Sequence, residues 1–204
     1  MTAVPTVRCY APPPVREDEI LRYAGVARAR REDRALLDLC LAELLPRLTY
    51  RVVFTEIAVR RDGALPALGI LPPLPALVSR RLSGATRAVV LAATVGMAPD
   101  RLCARYGTTS PSRALFCQAI GAERIEALCD AFCRELSAER APLGVSVGQR
   151  FSPGYGDLPL ERQRELFALL SPERHIGLCL NESLLMSPTK SVTAILPIAE
   201  GKGE

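Results

Sequence analysis

Between Arg150 and Gly156 the chain reads Arg-Phe-Ser-Pro-Gly-Tyr-Gly, a fixed cation followed by a stiffened turn and an aromatic ring between two glycines. A guanidinium is a planar fork of donors that matches a carboxylate edge to edge. Glycines let backbone amides approach a ligand where a side chain would collide, and the tyrosine ring can cover one face of what is bound. Together these residues describe a site for a small molecule with an anionic end. The same letters also fit a strand leaving a sheet through a Pro-Gly turn, with Arg150 in water and Tyr155 plugging the core. Local sequence leaves both readings open.

A second segment runs from Leu180 to Val192 as Leu-Asn-Glu-Ser-Leu-Leu-Met-Ser-Pro-Thr-Lys-Ser-Val. In order and separation the two segments resemble the activation domain at the carboxyl end of cobalamin-dependent methionine synthase. In that family an Arg-x-x-x-Gly-Tyr loop precedes Glu-Ser, Met-x-Pro and Ser-Val. Here the matching residues are Arg150, Gly154, Tyr155, Glu182, Ser183, Met186, Pro188, Ser191 and Val192. The match covers roughly the last quarter of the chain.

The resemblance implies an α+β fold in which a twisted antiparallel sheet carries helices and the ligand lies along the sheet edge. It implies a free-standing reactivation subunit that binds S-adenosylmethionine. The methyl group would go to cobalamin held by the cobalamin-binding part of a methionine synthase, with flavodoxin or a similar donor supplying an electron. Carried over by residue, Arg150 would pair with the ligand's carboxylate in a bidentate way that lysine could not match. The backbone of Ser152 and Gly154 would lie against the ligand, and Tyr155 would orient it. Glu126 matches an acidic residue on the family's corresponding helix and would accept from the ribose hydroxyls or the amino group, with Asp130 a weaker candidate. Read without the resemblance, Glu126 equally fits a solvated carboxylate paired with Arg134 or another cation. Glu182, Ser183, Met186, Pro188 and Ser191 would shape a turn between two strands beside the site.

The sequence also departs from that pattern. The family carries an aromatic residue near Leu196, a Trp where Ser187 stands, and an acidic residue near its amino end that has no counterpart here. The alternative reading is therefore a scaffold that docks on a corrinoid protein without using S-adenosylmethionine.

Composition bounds these readings. The chain has 204 residues, 49% hydrophobic and 24% charged, as expected of one globular domain (16–204) with an extended Pro-rich arm (1–15). A net charge of +4, no Trp and scattered arginines, with one cluster at Arg28-Ala29-Arg30-Arg31, argue against a nucleic-acid partner. Seven widely spread cysteines, without a Cys-x-x-Cys pair or a secretory leader, argue for reduced thiols in the cytoplasm and against a metal site. The long uncharged run from Gly63 to Ser79 carries Pro66, Pro72, Pro73 and Pro75, which excludes a membrane-spanning helix there. The lone His175 has no Cys or carboxylate cluster around it and is assigned no catalytic role.

The elements that must position the site follow from periodicity. Helices are expected over Arg16–Ala29, Arg31–Leu45, Leu74–Leu82, Asp100–Tyr106, Ser112–Leu136 and Leu160–Leu170. In the fifth of these, Ile125, Leu128, Cys129, Phe132 and Leu136 form one apolar stripe, with Glu126 and Asp130 on its flank. Strands are expected over Tyr50–Val59, with a turn at Asp62-Gly63, and over Ala88–Val95, Leu143–Gln149, Ile176–Leu180 and Ser191–Ile198.

Overall fold

The computed structural model describes residues 4–62, 65–68 and 76–200. Gly63 of the expected turn, Pro72, Pro73 and Pro75 of the proline run, and Leu74 of the expected helix lie outside the described residues. The strands are β1 (Thr6–Cys9), β2 (Arg51–Asp62), β3 (Leu65–Leu68), β4 (Arg87–Thr94), β5 (Val145–Val147), β6 (Cys179–Leu180), β7 (Met186–Ser187) and β8 (Ser191–Glu200). The α-helices are α1 (Glu17–Tyr23), α2 (Arg31–Leu44), α3 (Ala76–Arg81), α4 (Ala98–Tyr106), α5 (Pro111–Arg140), α6 (Gln163–Leu170) and α7 (Pro172–Ile176).

The main sheet runs β1-β2-β4-β8-β5, antiparallel throughout, with β3 pairing the far end of β2. Its central strand β4 is buried from Ala88 to Thr94, so both faces of the sheet must be covered. Alternation divides the strand cleanly. Val89, Leu91 and Ala93 pack with Ile125, Leu128, Cys129, Phe132 and Leu136 of α5. Ala88, Val90 and Ala92 face Leu166 and Leu170 of α6 and Ile176 of α7. The amino-terminal half of α5 forms a third cluster, in which Phe116, Cys117 and Ile120 meet Ile20, Leu37, Leu44 and Leu102 from α1, α2 and α4. The fold is thus the expected α+β class, with helices on both faces of a curled antiparallel sheet.

Three local expectations are corrected. The segment read as an extended arm places Thr6–Cys9 in the sheet as an edge strand, with Val7 opposite Val53. The strand expected over Ile176–Leu180 is the end of α7, a left-handed Gly177 (φ 70°) and a two-residue strand. Ile176 and Leu178 are buried as the alternation required, but through a helix cap and not through pleating. The first helix stops at Tyr23, because the chain turns at the left-handed Gly25.

A buried ion pair ties the arm to α5. Glu123 and Arg124 are both fully buried, joined at 2.5 Å (Nε to Oε2) and 2.7 Å (Nη2 to Oε1). Arg124 also donates to the carbonyls of Pro13 (2.5 Å) and Pro14 (2.7 Å), which as proline carbonyls belong to a segment unable to donate in return. Arg16 donates its backbone N–H to Glu123 at 3.3 Å. Desolvating two charges is costly unless every donor and acceptor is satisfied, and here the arm supplies the missing acceptors. Replacing Glu123 by Gln leaves Arg124 charged and under-compensated; urea denaturation is expected to show a loss of about 3–5 kcal/mol. A loss below about 1 kcal/mol would show that the pair is not a structural tie.

Candidate functional site

The Arg150 loop starts from a firm anchor. Phe151 and Ile195 of β8 exchange both backbone hydrogen bonds, at 3.0 and 2.8 Å, and the Phe151 ring is buried among Val90, Leu158 and Leu166. Beyond Phe151 the chain leaves the sheet. Gly154 (φ 88°) and Gly156 (φ 62°) both take left-handed backbone, and the turn between them is closed by Tyr155 N–H to the Ser152 carbonyl (3.2 Å) and Gly154 N–H to the Leu158 carbonyl (2.8 Å). Because the loop departs at Phe151, the outer edge of β8 before Ile195 is left uncovered by it. Antiparallel alternation turns the N–H and C=O of Thr193 toward the same side as those of Ile195. Thr193 therefore presents a backbone donor and acceptor beside the loop.

Two clefts meet there. One, of about 360 Å³, is lined by Arg81, Glu126, Arg150, Ser152, Tyr155 and Val192. The other, of about 380 Å³, is lined by Gly154, Tyr155, Gln163, Met186, Ser191 and Thr193, among others. They share Ser152, Tyr155 and Val192, so they are two lobes of one groove. Tyr155 is 77% exposed. It stands at the junction as a wall and does not plug the core, which removes that alternative reading of the loop.

Arg150 and Glu126 both face the first lobe and are paired with each other, Nη2 to Oε2, with Asp130 at 3.5 Å from the same guanidinium. The partner of Glu126 is thus Arg150 and not Arg134. Arg16 reaches the far side of Asp130 at 3.5 Å and Glu123 at 3.4 Å, so the acidic edge of α5 is laced by two arginines. Burial opposes the charge on Arg150, and Cys129 and Glu126 more than offset it, so its pKa is raised. Burial also pushes the Cys129 thiol from 9.0 to about 12. At neutral pH that thiol carries no charge, and Glu126 is the neighbour that matters.

The second segment shapes the wall. Glu182 and Ser183 lie in the turn of the β6–β7 hairpin, exposed and away from the two lobes, where Asn181 accepts the Leu185 N–H at 2.9 Å and Arg164 donates to the Glu182 carbonyl at 2.9 Å. Met186 and Ser191 line the second lobe. Ser191 donates to the Pro188 carbonyl at 2.8 Å and lies 2.8 Å from the Thr94 hydroxyl. The strand start is held from behind: Thr189 N–H faces both oxygens of Asp100 at 3.3 Å, and the Lys190 stem lies over Gly121, where a Cβ would come within 2.8 Å of it. Leu196 is buried against the α5 face of the sheet, and Ser187 is exposed beside Met97.

Two lining residues were missed in the sequence. Arg81, at the end of α3, brings a second guanidinium to the first lobe, and no carboxylate pairs with it among the described residues. Nothing in its neighbourhood forms a motif. Gln163 is 5% exposed, lines the second lobe, and its buried side-chain oxygen has no hydrogen-bond partner among the described residues. A signal existed here: Gln163 occupies the same helical face as Leu166 and Leu170, and a polar side chain in an apolar stripe is informative. Among the described residues no cluster of three His, Cys, Asp or Glu could hold a metal ion, and no helix is long and apolar enough to cross a membrane.

Residues 134–200 match the family model of the vitamin B12 dependent methionine synthase activation domain. The fold matches that of the MetH reactivation domain whose crystal structure has AdoHcy bound, with a TM-score of 0.66 at 15% identity, over 98% of this chain and 79% of that one. No curated protein matches the sequence. The family model lies over the Arg150 loop, the β6–β7 hairpin and β8, and the likeness in fold extends the resemblance across the helices before them.

Two measurements probe this geometry. A Cβ at Gly154 would meet Leu160 Cδ1 at 3.1 Å on a left-handed backbone, so Gly154→Ala is expected to cost roughly 1–2 kcal/mol and to displace the Tyr155 turn; an unchanged urea midpoint would contradict it. For Cys129, both folded and unfolded chains keep the thiol proton below its ordinary pKa of 9.0, and above it the unfolded chain loses that proton first. Stability should therefore fall as pH rises from 9 toward about 12, and Cys129→Ala should flatten the fall.

Proposed function

We propose that this chain is a free-standing reactivation subunit. It binds S-adenosylmethionine in the groove along β8 and docks on the cobalamin-binding part of a methionine synthase, where flavodoxin or a similar donor supplies the electron for reductive methylation. The observation that carries this reading is the convergence of Arg150, Glu126 and the Gly154-Tyr155 turn on one groove, in a fold shared with an AdoHcy-bound reactivation domain. The seven free cysteines are in keeping with a cytoplasmic setting.

The residues present fit an S-adenosyl amino acid from end to end. Its carboxylate finds Arg150 and Arg81, which has no carboxylate partner among the described residues, and its ammonium finds Glu126, so an existing ion pair opens to receive a zwitterion of the same two charges. The Tyr155 ring is placed to lie against the sulfonium, a cation over an aromatic face. In the second lobe the adenosyl group meets the Thr193 backbone edge and Gln163, whose buried oxygen lacks a partner among the described residues. When bound, the sulfonium supplies an activated methyl group. This chain's own contribution is to orient that methyl toward the open mouth at Tyr155 and to hold the charged end still.

A scaffold that docks on a corrinoid protein without S-adenosylmethionine is favoured by one observation: Arg150 is already satisfied by Glu126 and Asp130. Calorimetry separates the two readings. Heat of S-adenosylmethionine binding that Arg150→Ala abolishes, and that Arg81→Ala weakens about tenfold, is the expected result. A heat-silent titration of folded protein at millimolar ligand, with retained capture of a cobalamin domain, would select the scaffold.

A further inference from the structure

A separate cleft of about 420 Å³ lies between the turn after α2, the turn after β4 and the start of α4. It shares no lining residue with the groove along β8. Arg47, Arg101 and Arg105 face it, and Met97, Ala98 and Leu102 form its apolar wall. The charges are poorly balanced. Arg47 and Arg105 share a single carboxylate, Glu43, at 3.6 and 3.7 Å. The other Glu43 oxygen accepts the Tyr106 hydroxyl at 2.7 Å, which spends part of its acceptor capacity elsewhere. Arg101 has no carboxylate partner among the described residues. Three guanidinium groups against one carboxylate leave an excess of two positive charges around a concave surface.

The elements hold these groups in place. Arg101 and Arg105 are one helical turn apart on α4, beside the buried Leu102. Arg105 lies over the Tyr106 ring at 5.5 Å. Arg47 donates to the Glu43 carbonyl and so is fixed to the end of α2. Like charges brought together repel one another, and a concave arrangement of them focuses field on an anion. A planar carboxylate edge accommodates one or two forks, whereas a tetrahedral phosphoryl group accepts them from several directions.

We propose that this cleft binds a small organic phosphate monoester, its dianionic head among Arg47, Arg101 and Arg105 and its apolar part against Met97 and Leu102. The site is independent of S-adenosylmethionine binding.

The test is a thermal-shift and calorimetric series on the full chain at constant ionic strength, with inorganic phosphate, glycerol 3-phosphate, adenosine monophosphate, sulfate and succinate as probes. Saturable binding of a phosphate monoester, tighter than that of inorganic phosphate, is expected. Arg101→Ala should weaken it about tenfold, and Arg101→Lys should restore only part of it. Arg101 is exposed and outside the core, and circular dichroism checks that each variant is folded. Equal responses to all five anions, a preference for succinate, or monoester binding unaffected in folded Arg101→Ala and Arg105→Ala would each overturn the proposal. S-adenosylmethionine binding measured on the same Arg101→Ala sample should be unchanged, so failure here leaves the reading of the β8 groove standing or falling on its own data.

Discussion

The structure depends on the double burial of α5. This helix has 30 residues, roughly 45 Å at the usual rise. One half is covered by the sheet through Ile125, Leu128, Phe132 and Leu136, and the other by α1, α2 and α4 through Phe116, Cys117 and Ile120. A helix so enclosed leaves a narrow edge for charge. Glu123, Glu126 and Asp130 occupy that edge; Arg124 pairs with Glu123 from within the helix, and Arg16 and Arg150 come to the edge from elsewhere in the chain. The position of the site arginine is thus fixed by where the helix can carry a carboxylate without interrupting its packing.

That arrangement has an energetic logic for ligand exchange. Breaking a half-buried pair and leaving its members alone would be expensive, whereas replacing each partner by a ligand group of the same sign costs little. An amino acid zwitterion offers both replacements at once. A ligand with a carboxylate alone would strand Glu126, and one with an amine alone would strand Arg150. Under the proposed function the pair would therefore discriminate for molecules that carry both charges, and Arg81 would bias the lobe further toward the carboxylate end.

Much of this was legible in the sequence because it rests on local rules. The apolar stripe of α5 follows from helical spacing, β4 from an unbroken apolar run, and the loop after Phe151 from its glycines. The residues from Glu182 to Ser191 read as one turn between strands at Ile176–Leu180 and Ser191–Ile198, whereas β6 pairs with the unexpected β7, and Ile176 and Leu178 alternate for reasons that have nothing to do with a strand. What was not legible is non-local. The burial of Glu123 and Arg124 is one such feature, because nothing in a linear pattern announces that the carbonyls of Pro13 and Pro14 will arrive to satisfy the arginine. β1 was hidden in a proline-rich start, its pairing with β2 decided some forty residues away. Arg81 joined the site from a short helix without a motif of its own, and the Glu126–Arg150 pair emerged only when α5 and the loop were set side by side.

Tyr155 stands 77% in water between two left-handed glycines, held by its backbone while its ring touches little. Most folded domains hide such a surface, and here folding has left it available. Whatever settles over that ring sheds its hydration shell, and at roughly 25 cal/mol for each Å² of apolar area the release favours association without any rearrangement of the chain beneath. The turn is closed by hydrogen bonds below and open above, so a partner covering the ring would leave the backbone beneath it as it is.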